Sequence, residues 1–218
     1  MQFGPIYCET PAVLHGFPAE PVNTYSNLII ILLGLVALLL VYRRKPNDSG
    51  LWLLASLLAL TGVGSLLWHG LRAPWALALD TLPGVLTLFV FVFLWARAAL
   101  SKRIALIITG GLFLLQLLTM PLFFALGLAR GAFFVPLGIE LTLLGSYMVW
   151  RTRQISPAAF PLSVWVLPLA ITALTARTVD ALGIICPYIP FGTHFLWHGF
   201  LSSAAFVGIL MLLPWGSE

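Results

Sequence analysis

From residue 22 onward the chain is a succession of long apolar runs cut by short polar breaks. The runs cover about 22–42, 51–71, 76–98, 104–126, 132–150, 159–182 and 191–214. A helix needs about 20 apolar residues to cross a hydrocarbon core, and these runs have that length. Strands of a membrane barrel would alternate apolar and polar residues over segments of about ten, whereas these runs are continuous. The pattern predicts an all-α membrane protein, a seven-transmembrane helix bundle. It forms one domain over 1–218, with 1–21 as an external N-terminal segment. That segment holds Glu9, Pro11, His15, Pro18 and Glu20, with no basic start and no apolar stretch. It does not read as a signal peptide.

Composition agrees with the pattern. Only 8% of the 218 residues are charged and 61% are hydrophobic, where a soluble domain carries about a quarter charged residues. The net charge of +4 raises the question of nucleic acid, and the placement of the charges answers it. Arg43, Arg44, Lys45, Arg97, Lys102, Arg103, Arg151 and Arg153 fall at the first, third and fifth breaks. Arg72 and Arg130 fall at the second and fourth, and the N-terminal segment has no Lys or Arg. Eight against two predicts cytoplasmic odd loops, an outside N-terminus and an inside C-terminus.

That orientation gathers the chemistry. His69 ends the second run, and His194 and His198 open the seventh. All three therefore come out near the external face, at similar depth. His194 and His198 are four apart and project from one helix face. Three protein ligands with an open fourth position describe a catalytic zinc site. Ser65 precedes His69 by four residues and shares its face, and Asp80 opens the third run on the same side. Beside a metal that acidifies water, a carboxylate can take a proton or orient a histidine. A hydroxyl there can donate to an oxyanion. Each residue also has a plain reading. A histidine can snorkel or cap, Asp80 can serve the helix macrodipole, and Ser65 can pack or bond its own backbone.

The elements GSLLWH (64–69), LDTLP (79–83) and GTHFLWHGF (192–200) resemble the signature of the alkaline ceramidases. These belong to the CREST superfamily of seven-helix membrane hydrolases, which also includes the adiponectin and progestin receptors. YCET (7–10) and AEPVNTYSN (19–27) are similar to the ceramidase N-terminal motif. The outside N-terminus fits the ceramidase branch, since the receptors are inverted. The resemblance implies zinc on His69, His194 and His198, with Asp80 and Ser65 beside the metal water. It implies hydrolysis of the amide of ceramide, or of a related lipid amide, by zinc-bound water, giving a sphingoid base and a fatty acid. The substrate is then a membrane lipid. The expected location is a bacterial inner (plasma) membrane, with the site near the external face. The oligomeric state stays open.

The eukaryotic ceramidases hold calcium in the N-terminal segment, and Glu9 and Glu20 match two of the calcium positions. Ile6 and Pro11 stand where Asp and Asn are expected. Two carboxylates are few for an ion that takes six to eight oxygens. The other reading has Glu9 and Glu20 tie the segment to helix ends. Cys8 and Cys186 both fall on the external side, where a disulfide can persist. A bridge would staple the segment over the site, and two unrelated small apolar residues are the alternative. Asn23 and Ser26 are expected to bond neighbouring backbone. Arg177 and Asp180 need partners inside the sixth run, as an ion pair or through hydrogen bonds toward the site. Glu140 is a similar buried acid. Trp52, Trp68, Trp95, Trp150, Trp165 and Trp197 lie near run ends, as an aromatic belt would.

Two other functions share these residues. One is a zinc-containing seven-helix receptor or lipid-binding protein without turnover. The other is a haem protein, which has no use for Ser65 and Asp80.

Overall fold

A computed structural model describes residues 6–14, 16–126 and 134–215. His15 and Arg130 lie outside the described residues. Among the described residues seven helices follow the apolar runs: α1 (Pro21–Arg44), α2 (Ser49–Leu71), α3 (Pro74–Ala99), α4 (Lys102–Ala125), α5 (Phe134–Ile155), α6 (Phe160–Ala181) and α7 (His194–Leu212). Among the described residues there is no strand. Six of the helices are long and apolar enough to cross a membrane. The exception is α5, which carries Glu140, Arg151 and Arg153 within its 22 residues. Signals at the ends fit the boundaries. Pro occupies the first turn of α1, α3 and α6, where its missing N–H costs nothing. Asp48 caps α2 by accepting from Leu51 N–H.

Neighbouring helices pack in chain order, and α7 closes the ring against α1 while also touching α2 and α3. Ala37, Val41, Leu54, Trp95, Ile209 and Met211 belong to one buried apolar cluster. They lie toward the end of the bundle that carries the α1–α2 and α3–α4 connections. The opposite end is covered by the N-terminal segment. There Ala19 and Glu20 donate their N–H groups to the carbonyls of Gly70 and His69, and Cys8 is bridged to Cys186 with Cα atoms 5.1 Å apart.

The tryptophans differ from the belt expectation. Trp150 and Trp165 are exposed, but Trp68 and Trp95 are wholly buried. Trp95 Nε1–H donates to Thr152, and the Arg72 guanidinium lies 3.9 Å above the Trp68 ring.

Candidate metal centre

The geometry of the centre begins in α2. Gly64 lets α3 approach, because a Cβ there would run into the Leu79 carbonyl. One residue on from each of these, Ser65 hydrogen-bonds the Asp80 carboxylate. One turn beyond Ser65, His69 projects from the same face.

The start of α7 is fixed from outside the helix. Asp180 accepts the N–H groups of Thr193 (2.6 Å) and His194 (3.0 Å), and also that of Cys8 (3.0 Å). A carboxylate at the positive end of a helix is well placed. Gly192 makes the turn with φ +68°, and a Cβ there would overlap Asp180. Asp180 thus serves as a cap for α7 and an anchor for the N-terminal segment.

These elements bring His69, His194 and His198 together. One nitrogen from each lies within 4.8 Å of the others, and all three residues are buried. Two rings are oriented from α1. His69 Nδ1–H donates to Glu20 Oε2. Ser26 sends its own proton to the Asn23 carbonyl (3.0 Å) and accepts from His198 Nδ1–H (2.7 Å). Both rings then carry their lone pair on Nε2, as metal-ligating histidines with such partners do. The buried nitrogens without a partner include His69 Nε2, His198 Nε2 and His194 Nδ1. A buried polar atom left unpaired costs free energy, and a cation shared by three imidazoles removes that cost. The donor set fits zinc, for which imidazole is a common ligand.

Glu20 is the hub beside the cluster. Its Oε1 accepts from Thr10 Oγ1 (2.6 Å) and faces Arg72 Nη1 at 3.2 Å, while Oε2 takes His69 and Asn23 Nδ2. Burial works against its ionisation. The His69 hydrogen bond and the His69, Arg72 and Thr10 interactions outweigh burial and hold its carboxyl below the usual range. Glu9 instead accepts the N–H groups of Val22 (2.7 Å) and Asn23 (2.8 Å) at the start of α1.

Tyr7 is a site residue that the sequence reading did not single out. Its ring stacks on His194 at 3.8 Å between centroids, and Arg177 hydrogen-bonds its side chain. Burial pushes its phenol pKa up to about 12, so it stays neutral. Its signals in the sequence are its place next to Cys8 and its position in the YCET stretch (7–10).

A cavity of about 400 Å³ opens beside the cluster, bordered there by Tyr7, Ser65, Asp80, Arg177, His194 and His198. Its wall is otherwise mostly apolar and follows α7 as far as Met211. Met211 lies seventeen positions beyond His194, about 25 Å along the helix. A long apolar cavity with a few convergent polar groups at one end suits a small lipid-like ligand.

The family model described as Ceramidase matches residues 6–214. No curated protein matches the chain.

Proposed function

The chain belongs to the ceramidase family, and from that premise we propose that it is a zinc-dependent amidohydrolase acting on ceramide or a related lipid amide. The observation that carries the metal assignment is the set of three buried imidazole nitrogens left without partners. His69, His194 and His198 would hold the ion. When bound, it supplies Lewis-acid polarisation and a water acidified to a pKa of about 7.

The side chains around it have distinct parts. Asp80, fixed by Ser65, borders the same cavity as His194 and His198 and interacts electrostatically with His69. As a carboxylate it accepts the proton of the attacking water and returns it to the leaving nitrogen. Once Asp80 is protonated, Ser65 is released to donate to the developing oxyanion. Glu20 and Ser26 hold two of the imidazoles in orientation. The apolar cavity takes hydrocarbon chain and excludes bulk water.

We place the N-terminal segment outside and the C-terminus inside a plasma membrane. The eight basic residues at the helix ends remote from the histidines support that orientation. We assign Glu9 and Glu20 to fastening the segment rather than to calcium. Their oxygens are already engaged by backbone N–H groups, Thr10, Arg72, His69 and Asn23. Calcium added to the purified chain is then expected to leave its melting temperature unchanged, and a clear rise would reverse the assignment.

The test of the function pairs metal analysis of the purified chain with turnover of a panel of lipid amides. One zinc per chain and release of free fatty acid are expected. Bound zinc with no turnover of any amide would favour a receptor-like protein. A C-terminal reporter active only outside the cell would overturn the orientation.

A further inference from the structure

The cavity has a second polar contact that the hydrolytic machinery does not use. Gln116 on α4 borders the cavity and is only 7% exposed. Its Nε2–H donates to the carboxylate of Glu140 on α5. Gln116 Oε1 and Glu140 Oε1 are buried and, among the described residues, have no hydrogen-bonding partner. Such groups are costly inside a membrane and mark functional positions. With Glu140 as a carboxylate, the donor end of the amide is committed to it, and the free end of Gln116 is an acceptor.

The pair lies near the depth of the reacting centre. Ser65 is six residues before the end of α2, Asp80 six after the start of α3, and Glu140 six after the start of α5. These helix termini belong to the same end of the bundle, so each residue is about 9 Å from it. Gln116, nine residues before the end of α4, lies about 14 Å from that end. The cavity wall thus carries Ser65 and Asp80 on α2 and α3, and Gln116 on α4.

We propose that Gln116 is a specificity-determining contact, accepting a hydrogen bond from a hydroxyl carried close to the lipid's amide. Glu140, which stands behind the wall, is its positioning residue. The hydroxyl can belong to the amine half or to the acyl half. The inference rests on the lipid-amidase reading of the site. A site built to accept a hydroxyl disfavours the analogue that lacks it, because the buried acceptor stays unpaired.

The test uses the full zinc-loaded chain in detergent and three amides of equal length. One carries hydroxyls on its amine half, one carries a 2-hydroxyl on its acyl half, and one carries neither. Binding is read by displacement of a fluorescent long-chain amide, and turnover as kcat/KM. The parent is expected to bind one hydroxylated amide at least about tenfold more tightly than the plain one, a ratio one hydrogen bond can supply. The preferred amide identifies the half that is recognised. Gln116→Leu, and Gln116→Met as a variant of closer shape, should bring that ratio to about unity, weakening the preferred hydroxylated amide without weakening the plain one. Glu140→Leu should do the same, and Glu140→Gln, which keeps an oxygen acceptor, should restore the preference. If the Gln116 variants weaken all three amides alike, or only lower the melting temperature, the pair is a helix-packing device and the inference is wrong. A parent that shows the preference without hydrolysis retains the inference and removes the amidase reading. A parent that hydrolyses without preference does the reverse.

Discussion

Replacing His198 by Ala is expected to empty the metal centre and reduce amide hydrolysis to background. The ring is buried at 2% exposure and supplies one of the three convergent nitrogens. Two imidazoles would remain, one short of the three that a catalytic zinc site employs. The same loss is expected for His69→Ala and His194→Ala. Replacing the residues behind the ligands should be milder, which separates ligation from general damage. Glu20→Gln weakens the bond that orients His69, and changes to such supporting partners typically lower metal affinity about 10–100-fold. Ser26→Ala, which removes the Nδ1 partner of His198, belongs to the same class. The measurement is zinc per chain against free zinc concentration, with helix content by circular dichroism as the folding control. Full zinc occupancy in a His69→Ala, His198→Ala double variant would remove the assignment altogether.

Asp80→Asn is the second large effect, and it separates chemistry from fold. Asp80 lies in the second turn of α3, where loss of its charge from the helix macrodipole costs at most about 0.3–1 kcal/mol. The amide keeps the shape of the carboxylate and can still accept from Ser65. Fold and zinc content are therefore expected to persist. An amide cannot take a proton from water near neutral pH, and general-base contributions are typically 10²–10⁴-fold. Turnover of the lipid amide should fall by at least about 10²-fold. Ser65→Ala should lose less, since it removes a positioning contact and an oxyanion donor while Asp80 remains. Parent-like turnover in Asp80→Asn would dismiss the assigned role of Asp80. A parent holding zinc yet hydrolysing no lipid amide would advance the receptor reading instead.

The helices and the histidine cluster were legible for one physical reason. A bilayer imposes a length and an apolar composition on each span, and it makes each polar exception conspicuous. His69, His194 and His198 stand out against their runs, and the alternation of the spans brings them to one end of the bundle. Contacts between spans carry no comparable mark. Ser26 is expected from the sequence to bond neighbouring backbone, and it does reach the Asn23 carbonyl; its contact with His198 depends on the packing of α1 on α7. Gln116 is inconspicuous in the sequence, and its pairing with Glu140 depends on the α4–α5 seam. Asp180 had two open readings, and its role as a cap follows from the path of the chain through Gly192. Tyr7 lies outside every span, so hydropathy gives it no weight. Its position comes from the Cys8–Cys186 bridge and the Cys8 N–H bond to Asp180.

The way the ring closes on itself bears on how the protein is made. The histidine cluster joins α2 to α7, and α7 seals the bundle by packing on α1. His69 leaves the ribosome 125 residues before His194. At about 5–20 residues per second, that is a wait of about 6–25 s during synthesis. Throughout the wait His69 has its Glu20 partner within reach but neither imidazole of α7, and Cys8 has no Cys186. If His69, His194 and His198 hold the metal as proposed, its uptake would belong to the end of biogenesis, after the last helix is made. A nascent chain arrested before residue 194 would insert most of its spans and still hold no zinc.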